Sequence, residues 1–404
     1  MTDASTQVEV LSIHHGGVIG GAPTSLALQA GVVTRGGRAR VTVAAFRTEI
    51  HAFFERRGLT VHDWPDPLVM WGKVCIGWTT LRTRRQWRSF ANELLRLPVS
   101  VWRQWQALRR SSADVVHLNS AVLLSSAVAA RLAGKPVVWH VREASCPPQW
   151  LRRLMRRLAT RMVCISPVEA DVYGRNHAKV RVVFNPVDFD RFDPNRYDRA
   201  SARAQLRIPP DAKVAVSLGG VVERKGAKEI AEAMAMLGEE AYAIVAGPPL
   251  GREGGPYHRA VSEALGGARE RVLFTGPVDD PAPLLAAADV LVFAGTMPHF
   301  PRPVYEAWAM RRPVVVFDTR GVSENVAPGV DGWVVSPRTG AALAAALREA
   351  WADPERGRAM GERGRDKALA RTRSEHSGAA LEAILLEAAG RPPRVDGRFE
   401  GSAA

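Results

Sequence analysis

Two uninterrupted apolar runs, ADVLVFA (288–294) and PVVVF (313–317), flank a segment that carries Pro301, Pro303 and the small apolar pattern VYEAWAM. Runs without polar alternation suit strands buried on both faces, the condition of a parallel sheet covered by helices. Parallel neighbours need a crossover, so this stretch reads as a strand-helix-strand unit of a parallel α/β sheet. Proline has no N–H to donate and is tolerated at the first helical position. The crossover helix is therefore predicted to begin between Arg302 and Val304, with Glu306 in its first turn. A helix start beyond the carboxyl end of a parallel strand presents unpaired N–H groups and partial positive charge, a place that favours phosphate.

The same alternation runs through both halves. VEVLSIH reads as a strand, followed by a loop with Gly16, Gly17, Gly20 and Gly21 and a helix that Thr24 or Ser25 would cap. The G-x-G-x-x-G fingerprint is absent, so the loop reads either as a tight strand-to-helix turn or as backbone passing close to a ligand. ARVTVAAF, ADVVHLNS, PVVWHVRE and RMVCISPVEADVY continue the pattern. They set His117, Asn119, His140, Arg142 and Glu143 at the carboxyl ends of strands, where open α/β sheets place ligands. KVAVSLGG, AYAIVAGPP and RVLFTGPVDD begin a second sheet, and helices over 339–352, 354–371 and 374–389 close the chain.

At 404 residues the chain exceeds what one core holds, so two domains are expected. Hydrophobic content of 46% and charged content of 24% are those of a soluble globular protein. The formal charge of +14 implies affinity for polyanions: phosphorylated donors, anionic lipid head groups or nucleic acid. Nothing resembles a nucleic-acid reader, which sets that partner aside. Between Trp64 and Arg110 the chain carries Trp71, Trp78, Trp87, Trp102 and Trp105 among many arginines, and LRRLMRRLATR (151–161) repeats the theme. Helices of this kind lie in a bilayer interface; the plainer reading is amphipathic helices packed on a sheet with their arginines in solvent. Cys75, Cys146 and Cys164 are odd in number and lack metal-ligand spacing, as expected of reduced thiols in the cytosol. MTDASTQVEV shows no signal-peptide pattern, and AVLLSSAVAA is too short to span a bilayer.

On these motifs, 288–334 together with 214–226, the chain resembles the retaining GT-B glycosyltransferases of family 4. There a glutamate, seven residues and a second glutamate precede a small apolar helix, a strand, and a later glycine and glutamate. Glu306 matches the second glutamate, and Gly321 and Glu324 the later pair; Pro298 stands where the first is expected. Gly219, Lys225 and Gly226 match a Gly-Arg-Leu…Lys-Gly element, with Gly220 in place of its arginine. Asn119 replaces the second member of a His-x-His pattern, and Asn185, Pro186, Val187 and Asp188 resemble the interdomain hinge with altered order.

The resemblance implies two Rossmann-like domains facing a cleft: residues 1–190 on the acceptor side and 191–373 for the nucleotide-sugar. A helix over 374–390 crosses back and a disordered tail follows over 391–404. It implies transfer of a sugar from a nucleotide-diphosphate donor to a glycan or lipid-linked acceptor, with retention and without bound metal or other cofactor. Lys225, Arg224 and His117 would be catalytic; Gly20, Gly21, Gly219, Gly276, Val278, Arg302, Val304 and Glu306 would bind the donor. Arg224 and Arg302 would replace the missing arginine charge. Asn119, His140, Arg142 and Glu143 would touch acceptor or sugar. Two alternatives stay open: a sugar-nucleotide epimerase and a nucleotide-sugar binder without turnover.

Overall fold

The computed structural model describes residues 7–17, 20–77, 81–144, 146–247 and 255–392. Trp78 and all of the expected tail except Arg391 and Pro392 lie outside them. The chain divides after Pro186 into two compact units. One runs up to Pro186 and includes the helix Ser374–Ala388; the other spans Val187–Arg373.

The first unit is a parallel sheet of β1 (Val8–His14), β2 (Ala39–Ala45), β3 (Val61–Asp63), β4 (Val115–Leu118), β5 (Val137–Val141), β6 (Arg161–Cys164) and β7 (Val180–Val182), in the order β3-β2-β1-β4-β5-β6-β7. The second is a parallel sheet of β8 (Lys213–Ser217), β9 (Ala241–Ala246), β10 (Val272–Gly276), β11 (Val290–Phe293), β12 (Val314–Phe317) and β13 (Gly332–Val335), in the order β10-β9-β8-β11-β12-β13. Each is Rossmann-like, and each reverses direction of winding beside its first strand. Those reversals, between β1 and β4 and between β8 and β11, are the places where open α/β sheets hold ligands, at the carboxyl ends of the strands.

The uninterrupted apolar runs are the central strands: every residue of β4, β5, β11 and β12 is buried. Helices cover both faces. In the first unit the last helix packs on the helix Gly21–Arg35, with Leu381 and Leu385 in one cluster with Leu26 and Val33, and an Arg161–Glu387 ion pair at 2.6 Å ties it further. The helix Gly21–Arg35 has no side-chain cap; Thr24 Oγ1 instead donates to Gly20 O at 2.8 Å. The expected cap at Thr24 or Ser25 is thereby corrected: the helix starts upstream of both, and Ser25 is buried.

The tryptophan-rich segment divides. Trp71 and Trp105 pack against the core, as the plainer reading expects. The 27-residue helix Arg84–Arg110 begins with a capping box between Thr83 and Gln86 and turns Ser100, Gln104 and Leu108 inward. Its outer face shows Trp87, Leu95, Val99 and Trp102 to solvent, Leu95 at 81% exposure. The helix Gln149–Leu158 buries Leu151 and Met155 and exposes Trp150. Among the described residues, no helix is long and apolar enough to cross a membrane.

Candidate functional site

In the second unit the reversal brings together the loops after β8 and β11. The first runs through Gly219 and Gly220 to a 3-10 turn, Glu223–Lys225, and then to the helix Ala227–Ala235. Gly219 is required by close approach, since a Cβ there would sit 2.9 Å from Lys225 Cβ. Gly220 has φ 66°, in the left-handed region that glycine adopts without strain. The second loop, 294–301, is tied to the first by Thr296 N–H donating to Arg224 O at 3.0 Å.

Lys225 lies half-buried between them. Its Nζ is 2.9 Å from His299 Nε2 and 5.1 Å from the centroid of Phe293, the last residue of β11. Burial, with Arg224 nearby, lowers its pKa to about 8. Arg224 is exposed at the rim. His299, which sequence reasoning passed over, is neutral: burial and then the Lys225 charge push its pKa to about 4. Its only sequence signal is its place, immediately after Pro298.

The helix that follows starts at Arg302 as expected, yet two expectations there need correction. Glu306 lies beyond the first turn, which holds no acidic residue. Arg302 does not stand ready for an anion as a free charge; its Nε donates to Glu306 Oε1 at 2.8 Å, both side chains being largely buried. Burial raises the Glu306 pKa, and Arg302 works against that rise. The helix start also offers fewer N–H groups than an open terminus. Pro303 has none, Arg302 N–H donates to Phe300 O at 3.0 Å and Val304 N–H to Pro301 O at 2.9 Å. Val304 itself is fully buried, so neither its side chain nor its amide is presented.

Gly276 ends β10 and its carbonyl accepts from Gly247 N–H at 2.8 Å; Val278, two residues on, is exposed. Asp280, at the end of that loop, pairs with Arg191 at 2.9 Å, and both act electrostatically on Glu306. Arg191 and Asp280 thus join Glu306 and Arg302 in one charged group that no local motif signals.

In the first unit the candidates gather beside the β1/β4 reversal, but as a buried network. His117 Nδ1 is 2.8 Å from Ser12 Oγ and its Nε2 is 3.2 Å from His140 Nδ1. Asn119 Nδ2 is 3.2 Å from His14 Nδ1, and Asn119 Oδ1 accepts from Arg142 Nε. The Arg142 guanidinium also donates to Asn185 and Gln29, each at 2.6 Å. Glu143 accepts from the N–H groups of Ala121 and Arg142 at 3.0 and 3.1 Å. His117, Asn119 and His140 are at most 1% exposed. His117, expected as a catalytic contact, and Asn119, His140 and Arg142, expected as contacts to acceptor or sugar, are buried here in a network that holds β1, β4, β5 and the chain after β7 to one another. Gly20 and Gly21 sit at the helix start beyond β1, on the same edge of the sheet. Among the described residues, no group of three or more His, Cys, Asp or Glu side chains is placed to hold a metal ion.

Two family models match in succession: "Glycosyltransferase Family 4" over residues 20–191 and "Glycosyl transferases group 1" over 198–367. The chain belongs to the GT-B glycosyltransferases of family 4. Among curated relatives of this GT-B chain, the lipopolysaccharide core biosynthesis glycosyltransferase LpsE of Rhizobium meliloti is 32% identical over 190 residues, 47% of this chain and 54% of the relative. A D-inositol 3-phosphate glycosyltransferase of Streptomyces avermitilis is 30% identical over 50% of this chain and 47% of its own length. The chain thus spans about half the length of the curated relatives it matches. Among solved structures, HepE of Anabaena in complex with UDP and glucose aligns with a TM-score of 0.75 at 20% identity, over 94% of this chain and 99% of that one. A glycosyltransferase of Rickettsia africae aligns at 0.77 and 15% identity, over 95% and 98%. These similarities establish a shared fold.

Proposed function

We propose that this chain transfers a sugar, with retention of configuration, from a nucleotide-diphosphate donor to a glycan or lipid-linked acceptor. The observation that carries the reading is Lys225, a half-buried ammonium held at the β8/β11 reversal with no carboxylate of the described residues among its hydrogen-bond partners. Such a charge is aimed where the leaving diphosphate gains negative charge, and in a water-poor site it acts without reorganisation. Arg224 adds charge at the rim, Glu306 holds the nucleoside, and Gly276 and Val278 frame the base. No metal or other cofactor has a part in this reading. The relatives named for lipopolysaccharide core and inositol phosphate, and the UDP and glucose bound to HepE, support donor and acceptor classes of this kind.

The test is a melting screen with UDP, GDP and ADP. A ligand at about 100 times its Kd raises stability by about 2.7 kcal/mol, and Lys225→Met should remove most of that gain. Equal melting shifts for Lys225→Met and the natural protein would overturn the assignment. A binder without turnover remains the second reading, favoured by the engagement of Arg302 with Glu306. Calorimetric binding of a donor without transfer to any acceptor in a panel would support it.

The exposed stripe Trp87, Leu95, Val99 and Trp102, flanked by Arg84, Arg88 and Arg103 on the same helix, fits an anionic membrane surface on the cytoplasmic side. Sedimentation should show binding to vesicles rich in phosphatidylglycerol that weakens with salt and with the pair Trp87→Ala and Trp102→Ala. Preference for neutral vesicles would sink this part of the proposal.

A further inference from the structure

A lysine that grips a diphosphate must be held in place, because an ammonium on a flexible stem loses much rotamer freedom when it is fixed. The usual partner would be a carboxylate, but a carboxylate at hydrogen-bond distance cancels the charge the site needs. Lys225 has a different partner. His299 Nδ1 lies 2.8 Å from Met297 O, and a carbonyl only accepts, so in the neutral ring the proton sits on Nδ1. Nε2 then carries a lone pair, and Lys225 Nζ donates to it at 2.9 Å.

The ring is fixed on its other side too. Phe293 lies against it with centroids 5.5 Å apart, and the same Phe293 face supports the ammonium at 5.1 Å. One N–H of the ammonium is engaged by His299 and two remain for an anion. Neutrality of the imidazole is favoured by its surroundings: burial first, then the charges of Lys225 and Arg224, disfavour the protonated ring.

We propose that His299 is a positioning residue: a neutral acceptor, held in one tautomer by Met297, that directs the Lys225 ammonium toward a diphosphate without cancelling its charge. This rests on the reading of Lys225 given above. It also assigns a use to the position after Pro298, where the chain departs from its family's pattern.

Three variants separate the possibilities. His299→Asn keeps a neutral acceptor, His299→Phe keeps the packing on Phe293 without one, and His299→Asp supplies an anionic one. Calorimetry with UDP and GDP should give an affinity for His299→Asn within about threefold of the natural protein. His299→Phe and His299→Asp should each bind about tenfold or more weakly, tenfold corresponding to 1.4 kcal/mol. Nitrogen-15 spectra of histidine-labelled natural protein at neutral pH, without ligand, should show His299 protonated at Nδ1 and bare at Nε2. Affinity of His299→Phe equal to that of His299→Asn, or an Nε2–H tautomer, would overturn the proposal whether or not any variant folds poorly. Loss of affinity in Lys225→Met with indifference to every His299 variant would overturn the positioning role alone; indifference to Lys225→Met would overturn the diphosphate reading itself.

Discussion

Two charge contacts at the candidate site, Arg302–Glu306 and Lys225–His299, differ in how far the sequence announces them. Arg302 and Glu306 form an ion pair largely out of solvent. Removing one member leaves the other buried and uncompensated, which typically costs about 3–5 kcal/mol. Arg302→Met is therefore expected to lower the denaturant midpoint strongly, and Glu306→Gln less so, since a neutral amide leaves Arg302 a partner. Equal, small shifts for both would show that the pair is solvent-screened. Arg302 and Glu306, four residues apart on a predicted helix, invite the expectation of a pair. The Lys225–His299 contact spans 74 residues, and nothing in either local sequence announces it.

At the scale of elements, the inner face of the helix Arg84–Arg110 carries one fully buried amide, Gln104. Gln104 is fully buried, accepts from Trp64 Nε1 at 3.0 Å and Ser126 Oγ at 2.6 Å, and donates to Ser100 and Ser125. Gln104→Leu would take from Trp64 Nε1 and Ser126 Oγ the acceptor they share, at about 1–3 kcal/mol for a buried unsatisfied group. Its thermal unfolding should show a clear loss. Trp102→Ala, on the outer face of the same helix, should stay within about 0.5 kcal/mol of the natural protein. The amphipathic pattern was legible in the sequence, because 3.6-residue periodicity is local. Which apolar residues it buries was not: Trp105 faces the core while Trp87 and Trp102 face solvent, a choice made by neighbours distant in the chain.

For the whole molecule, the decisive chemistry is the imidazole cluster of the first unit. Burial lowers the pKa of His14 and His117 to about 3 and of His15 to about 4, and His140 is lowered as well. An unfolded chain takes up these protons near pH 6.5, the folded one only well below that. Between those values the unfolded state binds more protons, so stability falls as pH drops from about 6.5 toward 4, by up to about 1.4 kcal/mol per pH unit for each histidine. Hydrogen exchange should show β4 and β5 amides losing protection over that range, and His117→Asn should reduce the slope; protection that held constant to pH 4 would contradict the neutral cluster. Two parallel α/β units and their strands followed from the sequence alone, because runs apolar on every residue admit burial only on both faces of a sheet. The residues at the strand ends were legible because a parallel sheet sends every strand terminus of one sense to one edge, whereas the boundary near Asn185–Asp188 was legible only through the family resemblance. Tertiary structure alone decided what those residues do there, sealing His117, Asn119 and Arg142 into a network and setting His299 against Lys225. Hydrogen bonds and ion pairs depend on distances of a few ångströms between segments far apart in the chain, and only the packed sheets set those distances.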